Sequence, residues 1–139
     1  MKKYPNVTQK IILRYKDKIL ILRHKNGSYD FPGGQLEWGE AMLDSLRREI
    51  MEELGLGLEI EPDLFHVWNY ISKNGKRHSV MIYYFYKLED QNKLKSPEKI
   101  QILWLDEKEM KQIVKDRDFV KRMFCFKAKK SPPSMFFCG

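Results

Sequence analysis

The sequence predicts an α/β domain in which strands and helices mix. Three observations lead to this class. Short runs rich in β-branched, leucine and aromatic residues recur at residues 8–15, 18–23, 58–71 and 78–88, bounded by turn-forming residues. Between them, Leu43, Leu46, Ile50 and Leu54 recur at three- and four-residue steps and make one apolar stripe, as a helix packed on a core requires. Finally, a third kind of boundary appears near the end, where the apolar run 100–106 leads straight into two segments of helical period, 107–116 and 117–127.

Taken in order, residues 8–15 and 18–23 are separated only by "KDK" and read as a hairpin or a pair of neighbouring strands. The stretch "HKNGSYDFPGG" is punctuation: Asn26-Gly27 signals a turn, and Pro32-Gly33-Gly34 reads as a loop with freed backbone groups. The helix that follows has Gly55 well placed as its stop. Residues 58–71 and 78–88 are strand-like and joined by "SKNGKR", in which Asn74-Gly75 is a strong hairpin signal.

A chain of 139 residues with 42% hydrophobic content can bury a core, and a single domain over 1–127 is expected, followed by a tail, 128–139, whose Ser131-Pro132-Pro133-Ser134 suggests poor order. No apolar run approaches a membrane span and "MKKYPNVTQK" lacks the apolar core of a secretion signal, so a cytoplasmic protein with no membrane partner is expected. Cys125 and Cys138 have neither metal-ligand spacing nor disulfide density and read as free thiols. The net charge of +7 is segregated, with basic arms flanking an acidic middle. That pattern suits an anionic substrate and ordinary solvated lysines equally well, and charge alone does not decide between them.

The acidic middle poses the functional question. Glu49, Glu52 and Glu53 cluster on the helix face adjoining the apolar stripe, beside Arg48. Like charges so crowded call for a neutralising partner, and a metal cation is the natural one; Arg48 is placed to brace the cluster from the side.

Gly34, five residues, Glu40, seven residues, then Arg48-Glu49-Ile50-Met51-Glu52-Glu53-Leu54-Gly55-Leu56 resembles the complete signature box of the Nudix hydrolases, and "FPGG" and "PEKIQILWL" resemble the family's flanking sequence. Ser45, Leu46 and Leu54 depart mildly from it at packing positions. The resemblance implies an α/β/α sandwich with a mixed β-sheet and a loop-helix-loop box. It implies hydrolysis of a nucleoside diphosphate linked to another group, with Mg2+ or Mn2+. It assigns Glu52 and Glu53 as principal metal ligands, Glu49 as a carboxylate that binds metal or helps activate water, and Gly33 as a backbone carbonyl ligand. Arg48 would hold a box glutamate in place, and Gly34, Glu40 and Gly55 would shape the box. Glu98 is the candidate for an additional metal carboxylate, while Glu37 is expected to be solvent-exposed. Hard cations choose carboxylate and carbonyl oxygens, which agrees with this set.

A nucleobase needs a stacking surface, and Tyr29, Phe31, Trp68 and Tyr83 are the candidates near the expected cleft. His24, His66 and His78 form no recognisable catalytic pair and read as strand-end or hairpin-rim residues; Trp104 reads as core. Subfamily markers for ADP-ribose or diadenosine polyphosphates are not met at Ser72 and Tyr70. The default is therefore a MutT-like pyrophosphohydrolase acting on (oxidised) nucleoside triphosphates. The alternatives are a non-catalytic module binding a nucleotide or an RNA 5′ end, and an RNA 5′ pyrophosphohydrolase. Nucleic acid is thus compatible as a partner without being favoured, and a homodimer is left open.

Overall fold

The computed structural model describes residues 3–91, 94–96 and 100–129. Strands β1 (Asn6–Tyr15) and β2 (Lys18–Arg23) form an antiparallel hairpin, with Lys16 in its turn at φ 55°. Two short strands follow, β3 (Tyr29–Asp30) and β4 (Gly33–Gln35), then helix α1 (Met42–Leu54). Strands β5 (Asp63–Ile71) and β6 (His78–Lys87) make a second hairpin around Gly75 at φ 71°, and β7 (Gln101–Leu105) leads into α2 (Glu107–Ile113) and α3 (Arg117–Cys125).

The sheet is mixed. Its order is β3-β2-β1-β6-β5, with β4 added to β1 and β7 to β2. β1 and β6 run parallel from Asn6↔Ser79 to Arg14↔Lys87, and the other pairs are antiparallel. Alternation along the central strands sends Ile11, Leu13, Leu20, Leu22, Tyr84 and Tyr86 to one face and Ile12, Ile19, Ile21 and Phe85 to the other. α1 seals the first face with Leu46, Ile50 and Leu54, all fully buried. Met110 of α2 and Val120 and Met123 of α3 seal the second. Each such side chain contributes roughly 2 kcal/mol through burial alone. The result is the α/β/α sandwich that the sequence led us to expect.

Three local expectations change. Pro32-Gly33-Gly34 is not a free loop: Gly33–Gln35 pairs with β1 at Lys10, Gln9 and Thr8, because a chain without side chains can lie directly against that strand. Residues 58–62 are not strand; β5 begins at Asp63, after Pro62. Trp104 is half-buried, packed edge-on to Tyr15 at the margin of the first cluster. Both C-terminal helices are capped by aspartates, Asp106 accepting from the Glu109 N–H at 2.8 Å and Asp116 from the Phe119 N–H at 3.0 Å. Ala128 packs beside the second cluster and the Lys129 N–H donates to Asp63 at 2.9 Å. Among the described residues, no helix is long and apolar enough to cross a membrane.

Candidate active site

Helix α1 is held at both ends. Buried Gln9 of β1 donates to the Met42 carbonyl at 2.8 Å and accepts from the Tyr84 hydroxyl at 2.9 Å, tying the first turn to the sheet. At the other end Gly55 takes the left-handed conformation, φ 64°, and its N–H donates to Met51 O. With Leu46, Ile50 and Leu54 turned inward, Arg48, Glu49, Glu52 and Glu53 are left on the face toward β4 and the loop before the helix.

Arg48 organises that face. It donates to both oxygens of Glu40, from Nε at 2.8 Å and Nη2 at 3.0 Å, a bidentate pair. Its Nη1 reaches Glu49 at 3.1 Å and Glu52 at 3.3 Å, and Nη2 meets Glu37 at 3.2 Å. Glu37 is thus exposed, as expected, yet belongs to the network. The guanidinium holds the Glu40 carboxyl down at about 2, and the carboxylates around it push Arg48 further up. One positive charge against four glutamates leaves the cluster negative.

Glu53 turns toward β4, where its Oε1 accepts the Gly33 N–H at 2.7 Å. Burial is the main reason its pKa is raised, with Glu49 and Asp30 adding to the effect, while the Gly33 N–H and Lys10 oppose it. Gly34 lies against Glu49: a Cβ there would stand 2.5 Å from the Glu49 carboxyl carbon and 2.6 and 2.7 Å from its oxygens. Since only the flexible end of Glu49 would be struck, Gly34→Ala should leave the melting temperature nearly unchanged and displace that carboxylate. Turnover is expected to fall about 10- to 100-fold, checked by steady-state kinetics beside thermal melts.

Among the described residues no three acidic, histidine or cysteine side chains converge as a finished cation cage. The donors nonetheless fit a hard divalent cation. They are all oxygens, their charge is under-compensated, and magnesium takes only one or two carboxylates, completing its shell with water and substrate phosphates. Glu49, Glu52 and Glu53 would hold it. What joins Gly33 to the cluster here is its N–H. Glu98 lies outside the described residues.

Beside the cluster, on the sheet face shared with α2 and α3, is a cavity of about 500 Å³. Tyr29, Phe31, Trp68 and Tyr83, chosen from sequence, all line it, together with Asp30, His66, Asp116 and Phe119. Phe31 and Tyr83 meet edge to face at 6.0 Å, as do Tyr83 and Phe119 at 5.5 Å. Lys10, in the middle of β1, pairs with Asp30 at 2.8 Å and so sits between cavity and glutamates. His66 could have been found from strand alternation, being two residues before Trp68; Asp116 and Phe119 carry no local signal. His24 lies at a turn, its N–H donating to Ser28 O. Cys125 is a free, exposed thiol, and Cys138 lies outside the described residues.

A model of the NUDIX domain matches residues 5–125. A Bacillus subtilis protein described as an uncharacterized Nudix hydrolase, YvcI, is 40% identical over 65 residues, 46% of this chain and 40% of that protein, so the chain spans less than half of that curated relative. An 8-oxo-dGTP diphosphatase of Buchnera aphidicola is 30% identical over 91 residues, covering 64% of this chain and 70% of that protein. Among solved structures, a MutT NUDIX hydrolase from Burkholderia pseudomallei superposes with a TM-score of 0.72 at 23% identity, over 86% of this chain and 98% of that one, a likeness of fold.

Proposed function

The chain belongs to the Nudix family, and from that premise we propose that it is a divalent-metal-dependent pyrophosphohydrolase, most simply a MutT-like enzyme acting on (oxidised) nucleoside triphosphates. One observation carries the reading: the Glu49-Glu52-Glu53 face of α1, pinned by Arg48 and Gly33, opens beside a cavity walled by aromatic rings. A cluster for phosphate chemistry and a slot for a flat ring are thereby neighbours. None of the acidic box positions is lost, which favours catalysis over a non-catalytic binding role.

A bound divalent cation would neutralise charge on the phosphoryl oxygens and lower the pKa of a coordinated water. The chain supplies the rest. Arg48 fixes the orientation of Glu49 and Glu52, and the Gly33 N–H fixes Glu53 while leaving its second oxygen free for other partners. Tyr29, Phe31, Trp68 and Tyr83 would receive the base and keep water from its faces, and the carboxylates of Asp30 and Asp116 at the cavity wall can accept from base N–H groups. Lys10 offsets the charge of Asp30 where the phosphate chain would pass.

The test is product release from a panel of nucleoside triphosphates, oxidised nucleotides, dinucleotides, nucleotide sugars and 5′-triphosphate RNA, with Mg2+ or Mn2+. Turnover of nucleoside triphosphates, abolished by a chelator, is expected. Metal binding without turnover of any substrate would overturn the enzyme in favour of a binding module, and preference for the RNA would redirect the assignment to 5′-end processing.

A further inference from the structure

The open sheet face does not end at the aromatic cavity. Beyond the Lys10–Asp30 pair lies a second, polar cleft of about 290 Å³, bordered on one side by Gly34 and Gln35 of the box and on the other by Tyr70, Arg77 and His78 of the β5–β6 hairpin. The register explains the join. Asn6, Thr8 and Lys10 of β1 lie level with Ser79, Met81 and Tyr83 of β6, and these with Tyr70, Trp68 and His66 of β5. All nine share one face, so cavity and cleft are two halves of one trough, with Asp30 bordering both and Trp68 touching Tyr70 edge-on at 6.4 Å.

The two halves differ in chemistry. The floor of the cleft is polar: Thr8 Oγ1 and Ser79 Oγ are 2.8 Å apart, and Ser79 donates to Asn6. Asp30 is the carboxylate bordering the cleft and is neutralised by Lys10 at 2.8 Å. Arg77 is in no ion pair among the described residues, so its charge faces the cleft uncompensated. Its backbone is anchored, the N–H to Ser72 Oγ at 3.0 Å and the carbonyl to the Ser72 N–H at 2.9 Å, while Ser72 is itself bonded to Asn74 at 2.6 Å. A cation with a fixed base, beside Tyr70 and above a floor of hydroxyls, suits a phosphate group.

We infer that the cleft bounded by Thr8, Lys10, Tyr70 and Arg77 binds a phosphate group that the substrate carries beyond its diphosphate, making Arg77 a specificity-determining residue. This rests on the nucleotide reading above and narrows it: substrates with a third phosphate are preferred over diphosphates joined to an uncharged group. The third phosphate could be the terminal one of a triphosphate or one that leads to a second nucleotide, and the chemistry is the same.

The test compares Arg77→Gln with Lys73→Gln, which removes a charge from the same hairpin's turn outside the cleft. Inorganic pyrophosphate is titrated calorimetrically into the metal-free protein in chelator. In parallel, kcat/KM is measured with metal for a nucleoside triphosphate, a 5′–5′ dinucleoside triphosphate and a nucleoside diphosphate sugar of one base. Arg77→Gln should weaken pyrophosphate binding about tenfold and reduce the preference for a third phosphate by a like factor, mainly through KM. Lys73→Gln should stay near wild type. A loss confined to the triphosphate assigns the terminal phosphate, and a shared loss assigns the bridging one. Equal effects from Lys73→Gln would overturn the cleft in favour of a diffuse field, and unaltered pyrophosphate binding and preference in Arg77→Gln would overturn it outright. Should wild type hydrolyse no nucleotide, the enzyme reading fails while the pyrophosphate titration still decides the cleft.

Discussion

Glu53→Gln is expected to reduce turnover roughly a thousandfold while the protein stays folded, since a metal-centred stabilisation is worth several kcal/mol and each 1.36 kcal/mol is a factor of ten. The swap is nearly isosteric, and an amide oxygen can still accept the Gly33 N–H that now bonds Oε1. What disappears is one negative charge in a half-buried position, where burial already disfavours the ionised form. Stability should therefore move against intuition. Because the folded pKa is raised, the metal-free wild type loses stability as pH rises from the ordinary carboxylate value through the raised one. The variant lacks that loss, so near neutral pH its metal-free melting temperature should match or exceed wild type, with a smaller rise on adding Mg2+. Turnover within a few-fold of wild type would remove Glu53 from the chemistry.

Gly33→Ala should instead damage the fold. Gly33 has φ 141°, a region that L side chains rarely adopt, and an added Cβ would stand 2.0 Å from the Gln9 carbonyl oxygen and 2.9 Å from Lys10 Cα. Both are backbone atoms of β1 with nowhere to go. Relief requires β4 to part from β1, giving up the pairing at residues 8–10 and the bond to Glu53 together. Overpacking and a forced φ together cost about 3 kcal/mol or more, a fall in melting temperature on the order of 10 °C. Differential scanning calorimetry on Gly33→Ala beside Gly34→Ala separates the two roles. The first should lose stability and activity, the second activity alone; a Gly33→Ala protein melting like wild type would refute the steric account.

Much of this is legible in the sequence, for identifiable reasons. The apolar stripe Leu43, Leu46, Ile50 and Leu54 is a strictly local pattern, and Leu46, Ile50 and Leu54 are the fully buried hydrophobic residues of α1. The strands around Asn74-Gly75 were equally plain, because turn chemistry and alternation agree there. The pairing of Gly33–Gln35 with β1 was not, since a glycine pair reads as loop and its strand character comes wholly from a partner over twenty residues away. Within the site, a full ring of four glutamates around Arg48 exceeds what helix spacing implies, because Glu37 and Glu40 arrive from a loop whose path no periodicity encodes. Asp116 and Phe119 reach the cavity only through the docking of α3, a fact of tertiary packing.

β1 is bonded along its whole length to β6 on one edge and to β4 and then β2 on the other, its residues 11–13 have no exposed surface, and it also supplies Gln9 to α1 and Lys10 to the site. The strand that organises the active site is therefore also the last part of the molecule that local fluctuation can open. Loops come and go at little cost, so the Glu37 and Glu40 side of the cluster can loosen by itself, while Gln9, Lys10 and Gly33 hold their places for as long as the central sheet is formed. A lesion in the central strand therefore reaches the chemistry without touching a substrate.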